Sequence, residues 1–157
     1  MIETLAPVVL RRRELRPDSG GAGTFRGGLG QVMEIEVLTD EPYVFSGLYE
    51  RTRHAAPGLQ GGGPGACGRI ATSNGVPLPP KISTVVPSDT VVTVELPGGG
   101  GYGSPVERDP ARVLEDVREG YVSLEQAREA YGVAIDPVTW TVRAEETAKR
   151  RAARPGA

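Results

Sequence analysis

A chain of 157 residues with one cysteine, one histidine and no long apolar run leaves many kinds of protein out of consideration. Cys67 alone forms neither an internal disulfide nor a thiolate metal cage, and this sparing use of cysteine predicts a cytosolic setting. His54 alone makes no metal centre, because a mononuclear catalytic zinc or manganese takes three protein ligands and no carboxylate cluster accompanies it in sequence. No stretch approaches the ~20 apolar residues that span a bilayer, and the apolar residues of Met1 to Val9 come before Arg11, Arg12 and Arg13, the reverse of a signal peptide's order. With a formal net charge of −2, the overall field draws the chain to neither nucleic acid nor an anionic membrane, and neither is expected as a partner. Nucleophiles are equally scarce. Cys67, between Ala66 and Gly68, reads as a small buried cysteine rather than a reactive thiol, and Ser46 lacks a Gly-x-Ser-x-Gly context. No catalytic residue is assigned.

What the chain has in excess is glycine, 22 residues, with 14 prolines. Six glycines fall in Gly20 to Gly30, six in Gly58 to Gly68 and five in Gly98 to Gly103, a clustering that points to three specific loops rather than to a disordered low-complexity chain. Between them lie β-branched segments. Ala6 to Leu15 and Gln31 to Leu38 read as strands, the second with Met33, Ile35 and Val37 on one apolar face. Tyr43 to Tyr49 and Arg69 to Thr72 follow. Lys81 to Val86 and Thr90 to Leu96, joined by Pro87, Ser88 and Asp89, suit a turn and an antiparallel pair.

From Asp109 the period changes. Asp109 caps a helix with Pro110 at its first position, Val113, Leu114 and Val117 form the apolar stripe, and Gly120 closes it. Ser123 caps a second helix with Gln126 in capping-box spacing, Leu124, Ala127 and Tyr131 line one side, and Gly132 ends it. Val133 to Ile135 is expected to run extended before an Asp136-Pro137 turn, Thr141 to Ala153 to be helical, and Arg154 to Ala157 to fray. About six strands with no helix between them exclude parallel βαβ construction. The expectation is an α+β protein: an antiparallel β-rich barrel or sandwich-like domain over residues 1–104 with three glycine-rich loops, followed by short helices over residues 105–157 packed on it.

Two clusters carry the functional reading. Arg51, Arg53 and His54 lead into the loop holding Gly61, Gly62 and Gly63, and together these can present fixed positive charge to a carboxylate or phosphate; the competing reading is a solvated loop. Gly98, Gly99, Gly100, Gly101 and Gly103 match Gly-x-Gly-x-x-Gly, but Pro105 and a charged stretch separate them from the next helix and no ribose-binding acidic residue follows, which argues against a dinucleotide site. They read either as a β-to-helix crossover that uses positive φ, or as a loop facing substrate or a neighbouring subunit, with bare amides for an anion. No Walker A loop and no metal site are expected in this chain.

The order of these motifs resembles the C-terminal part of the hydantoinase B / 5-oxoprolinase family. It is carried by Glu14-Leu15-Arg16-Pro17-Asp18-Ser19-Gly20-Gly21-Ala22-Gly23 with Arg26-Gly27-Gly28-Leu29-Gly30, then Arg51 to Gly65, Pro97 to Gly103, Glu107-Arg108-Asp109-Pro110, Asp116 to Ser123 and Tyr131-Gly132-Val133. The resemblance implies a subunit or fragment of an ATP-dependent hydrolase of cyclic amides, of the N-methylhydantoinase or 5-oxoprolinase type. A related ketone carboxylase, of the acetone or acetophenone type, and a noncatalytic assembly subunit are the alternatives. It implies ATP and Mg²⁺ in a hydantoinase A-type partner rather than in this chain, and a hetero-oligomer that also contains the missing B-type N-terminal part. The chain is not expected to act alone.

Overall fold

The computed structural model describes residues 6–153; the expected fraying of residues 154–157 and the reading of residues 1–5 lie outside them. Six strands precede the helices: β1 (Val8–Leu15), β2 (Gln31–Val37), β3 (Tyr43–Ser46), β4 (Arg69–Thr72), β5 (Ser83–Val86) and β6 (Val92–Glu95). They form a four-stranded sheet in the order β1-β2-β6-β4 and a two-stranded sheet β3-β5, every pairing antiparallel. The two sheets share one core, with Ile70, Val92 and Val94 from the larger meeting Val86, Tyr43 and Phe45 from the smaller, which makes the arrangement sandwich-like. On β2, Met33 and Ile35 pack against this core as their alternation predicts, Val32 is buried as well, and Glu34 and Glu36 pair with Arg12 and Arg11 of the edge strand β1.

One pairing differs from expectation. Pro87 to Thr90 does turn, with the Thr90 amide donating to the Pro87 carbonyl at 3.2 Å, but the flanking strands do not form a hairpin. β5 pairs with β3 while β6 inserts between β2 and β4, so the turn is the crossover between sheets. The Tyr43 hydroxyl pins it by donating to the Thr90 carbonyl at 3.0 Å. Turn chemistry is local, whereas the choice of strand partner follows from burying Val86, Val92 and Val94 on facing sheets.

The C-terminal part consists of α1 (Pro110–Arg118), α2 (Leu124–Glu129), the two-residue strands β7 (Ile135–Asp136) and β8 (Thr141–Val142), and α3 (Ala144–Ala152). The caps are where the sequence places them: Asp109 accepts from the Ala111 amide at 2.9 Å, Ser123 accepts from the Gln126 amide at 3.0 Å, and Gly120 and Gly132 take positive φ. Val113, Val117, Val122, Ala127, Tyr131 and Val133 form a second buried core. Leu124, expected in the same stripe, sits at its rim, 39% exposed.

Between these two cores runs a region that is neither helix nor sheet. Residues 19–30, 56–66 and 97–103, which contain most of the three glycine clusters, lie extended side by side and bond to one another through their backbones. Gly21 donates to the Gly99 carbonyl at 2.8 Å and Gly99 to Gly28 at 2.9 Å, Gly63 donates to Ala22 at 2.7 Å, and Gly101 donates to Gly63 at 2.9 Å. Each segment therefore touches both others. The approach is so close that a methyl group on Gly98 would overlap the Ser19 carbonyl, and one on Gly101 the Ala22 carbonyl. Ser19, fully buried, donates through its hydroxyl to the Arg16 carbonyl at 2.6 Å and accepts from the Gly30 amide at 2.9 Å.

This bundle is bolted to the helices by charge. Buried Asp116 on α1 accepts from Arg108 at 2.8 Å and pairs with Arg26 of the first glycine segment at 3.3 Å, and Arg26 lies 5.4 Å over the Tyr121 ring. Asp18, held at φ 57°, donates its amide to Tyr121 and accepts at its carboxylate from the Ser123 amide at 2.8 Å.

Candidate functional site

Arg51, Arg53 and His54 come together. They line a cavity of about 620 Å³ with Glu50, Thr52, Pro79, Pro80, Lys81 and Ile82. Two backbone bonds bring its walls together: Tyr49 donates to the Pro80 carbonyl at 2.8 Å and Gly47 to Ile82 at 3.5 Å, extending the β3-β5 pairing past the strands. The loop is then tied to the glycine region, where the Gly68 amide donates to the Arg51 carbonyl at 3.0 Å. Arg51 holds φ 54°, a left-handed conformation uncommon for a non-glycine residue.

The electrostatics of the cavity are lopsided. Lys81 pairs with Glu50 at 2.7 Å, while among the described residues no carboxylate pairs with Arg51 or Arg53, both exposed. Two unpaired guanidiniums beside an imidazole suit an anionic group, since guanidinium forks match carboxylate and phosphate. Sequence reasoning did not find Lys81 and Glu50. Lys81 follows two prolines some thirty residues away in sequence, and only the pairing of residues 47–49 with 80–82 brings it to the cavity.

Gly61, Gly62 and Gly63 do not line this cavity. Gln60 and Gly61 form a positive-φ turn, and a methyl group on Gly62 would overlap the Gly101 carbonyl. Gly98, Gly99, Gly100, Gly101 and Gly103 likewise pack within the bundle. Positive φ is not what requires them: of the five, Gly103 alone adopts it. What requires Gly98, Gly100 and Gly101 is contact with other backbones of the same chain, the carbonyls of Ser19, Pro57 and Ala22, whereas a methyl group on Gly103 would meet the Thr24 side chain and one on Gly99 would find room. The amides of Gly98, Gly99, Gly101 and Gly103 donate to Ala66, Gly28, Gly63 and Leu59, which leaves those donors no capacity for a phosphate. Cys67 is half-buried, and its carbonyl accepts from Arg16 at 2.7 Å. Among the described residues no three His, Cys, Asp or Glu side chains gather as a metal-binding group, and no helix is long and apolar enough to cross a membrane.

Comparison with known proteins places this architecture. The Hydantoinase B/oxoprolinase family profile matches residues 1–105. The caprolactamase β subunit of Pseudomonas jessenii is 38% identical over 87% of this chain and 25% of that polypeptide. The B-type polypeptide of a putative D-/L-hydantoinase from a Pseudomonas species is 34% identical over 85% of this chain and 23% of its own length. Among solved structures, the ATP-dependent caprolactamase from Pseudomonas jessenii superposes with a TM-score of 0.75 at 35% identity, covering 96% of this chain and 27% of that chain. Nucleotide-free acetone carboxylase superposes with a TM-score of 0.74 at 25% identity over 93% of this chain and 24% of that chain. The chain thus spans about a quarter of the length of these relatives.

Proposed function

The chain belongs to the hydantoinase B/oxoprolinase family, and we propose that it contributes the Arg51–His54 cavity to the active site of a multisubunit, ATP-dependent hydrolase of cyclic amides. The observation that carries this reading is the pair of guanidiniums, Arg51 and Arg53, left without a carboxylate partner in a cavity that also holds His54 and Lys81. In the proposed arrangement they hold an anionic group of the substrate or of an activated intermediate, and the chemistry of ATP and Mg²⁺ belongs to a hydantoinase A-type partner. The remainder of the B-type polypeptide supplies the groups that complete hydrolysis. A cytoplasmic location follows from this reading. The relatives named caprolactamase and hydantoinase, at 38% and 34% identity, support hydrolysis.

The test is Arg53→Ala in the reconstituted complex. Loss of a charge-assisted contact, worth about 1.5–3 kcal/mol, lowers kcat/KM by roughly tenfold to a hundredfold, with assembly of the complex unchanged by size-exclusion chromatography. Unaltered kinetics would remove Arg53 from the site.

A second reading is favoured for the glycine segments specifically. Because most of their amides and many of their Cα faces are taken up by one another, we assign them a scaffolding role rather than contact with substrate. Substitution there should lower the amount of assembled complex and leave the turnover of what assembles intact. A ketone carboxylase remains the alternative activity, supported by the superposition on acetone carboxylase.

A further inference from the structure

The bundle of glycine segments ends in a ridge that is anything but glycine. Each segment sends one large apolar side chain into solvent: Phe25 from the first, Leu59 from the second and Tyr102 from the third, exposed to 62%, 64% and 52%. Isolated apolar residues on a surface need no explanation, but these three are neighbours. Phe25 and Tyr102 exchange both backbone hydrogen bonds at 2.9 Å as an antiparallel bridge. Leu59 lies parallel to Tyr102 on its other side, donating to the Gly101 carbonyl at 2.9 Å and accepting from Gly103 at 3.0 Å. The Phe25 and Tyr102 rings sit 6.3 Å apart at 51°, a tilted aromatic pair.

Such a ridge is built to be covered. Its backbone is fixed by bonds to two other segments, so little ordering entropy is lost when a partner closes on it, and aromatic anchors on a rigid base are what strong interfaces use. The outer face of β3-β5 is exposed too, but there Val44 and Val85 alternate with the hydrogen-bonded pair Ser46 and Ser83, a mixed surface suited to water.

We propose that the Phe25, Leu59 and Tyr102 ridge is the docking surface for the remaining three quarters of the B-type polypeptide. The occupant follows from length. Relatives carry this region within chains about four times as long, so three quarters of such a chain lie beside this quarter and are available to cover it, and the ridge is a part that is apolar, contiguous and held rigid by backbone bonds. The inference rests on the reading of this chain as part of a B-type assembly.

The experiment is site-specific photo-crosslinking in the cells of origin. The photoreactive residue p-benzoylphenylalanine replaces Phe25, Leu59 or Tyr102, or else Val44 or Val138 as exposed controls, and the cross-linked peptides are identified by mass spectrometry. The expected result is a link from positions 25, 59 and 102 to B-type sequence outside this chain, with the controls weak. A link from the ridge to a second copy of this chain, or to a protein without B-type sequence, overturns the proposal. Links to B-type sequence from the controls alone overturn it while leaving the assembly reading intact. No B-type link from any position removes both. In parallel, Phe25→Ser combined with Tyr102→Ser should weaken association with that polypeptide by about tenfold or more without moving the melting temperature of the chain. An unchanged affinity counts against the ridge.

Discussion

The glycine bundle and the C-terminal helices are neighbours held together by opposite means. In the helical part, Val113, Val117, Val122, Ala127, Tyr131 and Val133 exclude water with side chains, and the backbone bonds are local. In the bundle the interior is mostly backbone: carbonyls face Cα atoms, amides bond across segments, and the buried Ser19 hydroxyl adds to the hydrogen bonding. Tolerance to change should therefore differ. A side-chain core adjusts to a lost methyl group by partial collapse, whereas a backbone core has nothing to yield when a methyl group is added.

The largest effect expected is at Gly98. Gly98→Ala drives a methyl group into the Ser19 carbonyl, a clash with backbone rather than with a movable side chain, and should cost more than ~4 kcal/mol, enough to abolish soluble folded protein. Gly28→Ala meets nothing within 4 Å and should be neutral or slightly stabilising, by up to ~1 kcal/mol. If both variants melt alike, the close approach is not what the bundle depends on. Next in size is the charged bolt between the two regions. Asp116→Asn leaves Arg26 and Arg108 without their shared carboxylate and should destabilise by ~3–5 kcal/mol in denaturant titration, with hydrogen exchange accelerated in the glycine segments as well as in α1.

The smallest effect is expected inside the helical core, where it marks the contrast most clearly. Tyr131 is buried, its hydroxyl has no hydrogen-bond partner among the described residues, and burial pushes its pKa up to about 12. Tyr131→Phe should thus change stability at pH 7 by less than ~1 kcal/mol. Because the neutral phenol is favoured in the folded state, its contribution is complete below the ordinary tyrosine pKa of ~10 and is lost as pH rises through about 12. The wild type should lose stability across that window and Tyr131→Phe should lose less. Equal alkaline denaturation curves would show that Tyr131 is not the group responsible.

Much of the helical part could be read in advance, because caps and stripes are local. Asp109, Pro110, Gly120, Ser123 and Gly132 each act within a few residues of themselves. Strand positions were legible for the same reason, since alternation and β-branching are properties of a short window; Arg69 to Thr72 was found even though it is four residues long. The pairing of β5 was not legible, because a turn specifies direction and leaves the partner to distant Tyr43 and Phe45. At the candidate site, the run Arg51 to His54 was visible as a local concentration of charge, and Glu50 adjoins it in sequence, whereas Lys81 joins it through pairing no local pattern announces. The glycine clusters were recognisable as places of close approach, but a residue without a side chain carries no pattern to say what approaches it. Phe25, Leu59 and Tyr102 left a faint signal, a large apolar residue inside each glycine cluster.

The third glycine segment has a consequence in time as well as in space. Residues 97–103 bond to both earlier segments, across separations of some thirty to eighty residues, and complete a set of backbone bonds that the first two segments make only in part, from Gly63 to Ala22 and from Ala66 to Ser19. During synthesis the bundle cannot close until Gly103 has left the ribosome. The helices that follow need no such delay, since their bonds close within a turn. Folding of this chain is therefore expected to be gated by a long-range event near its middle, slow for its size, with the helices ready to lock Arg26 and Asp18 in place once the bundle has closed.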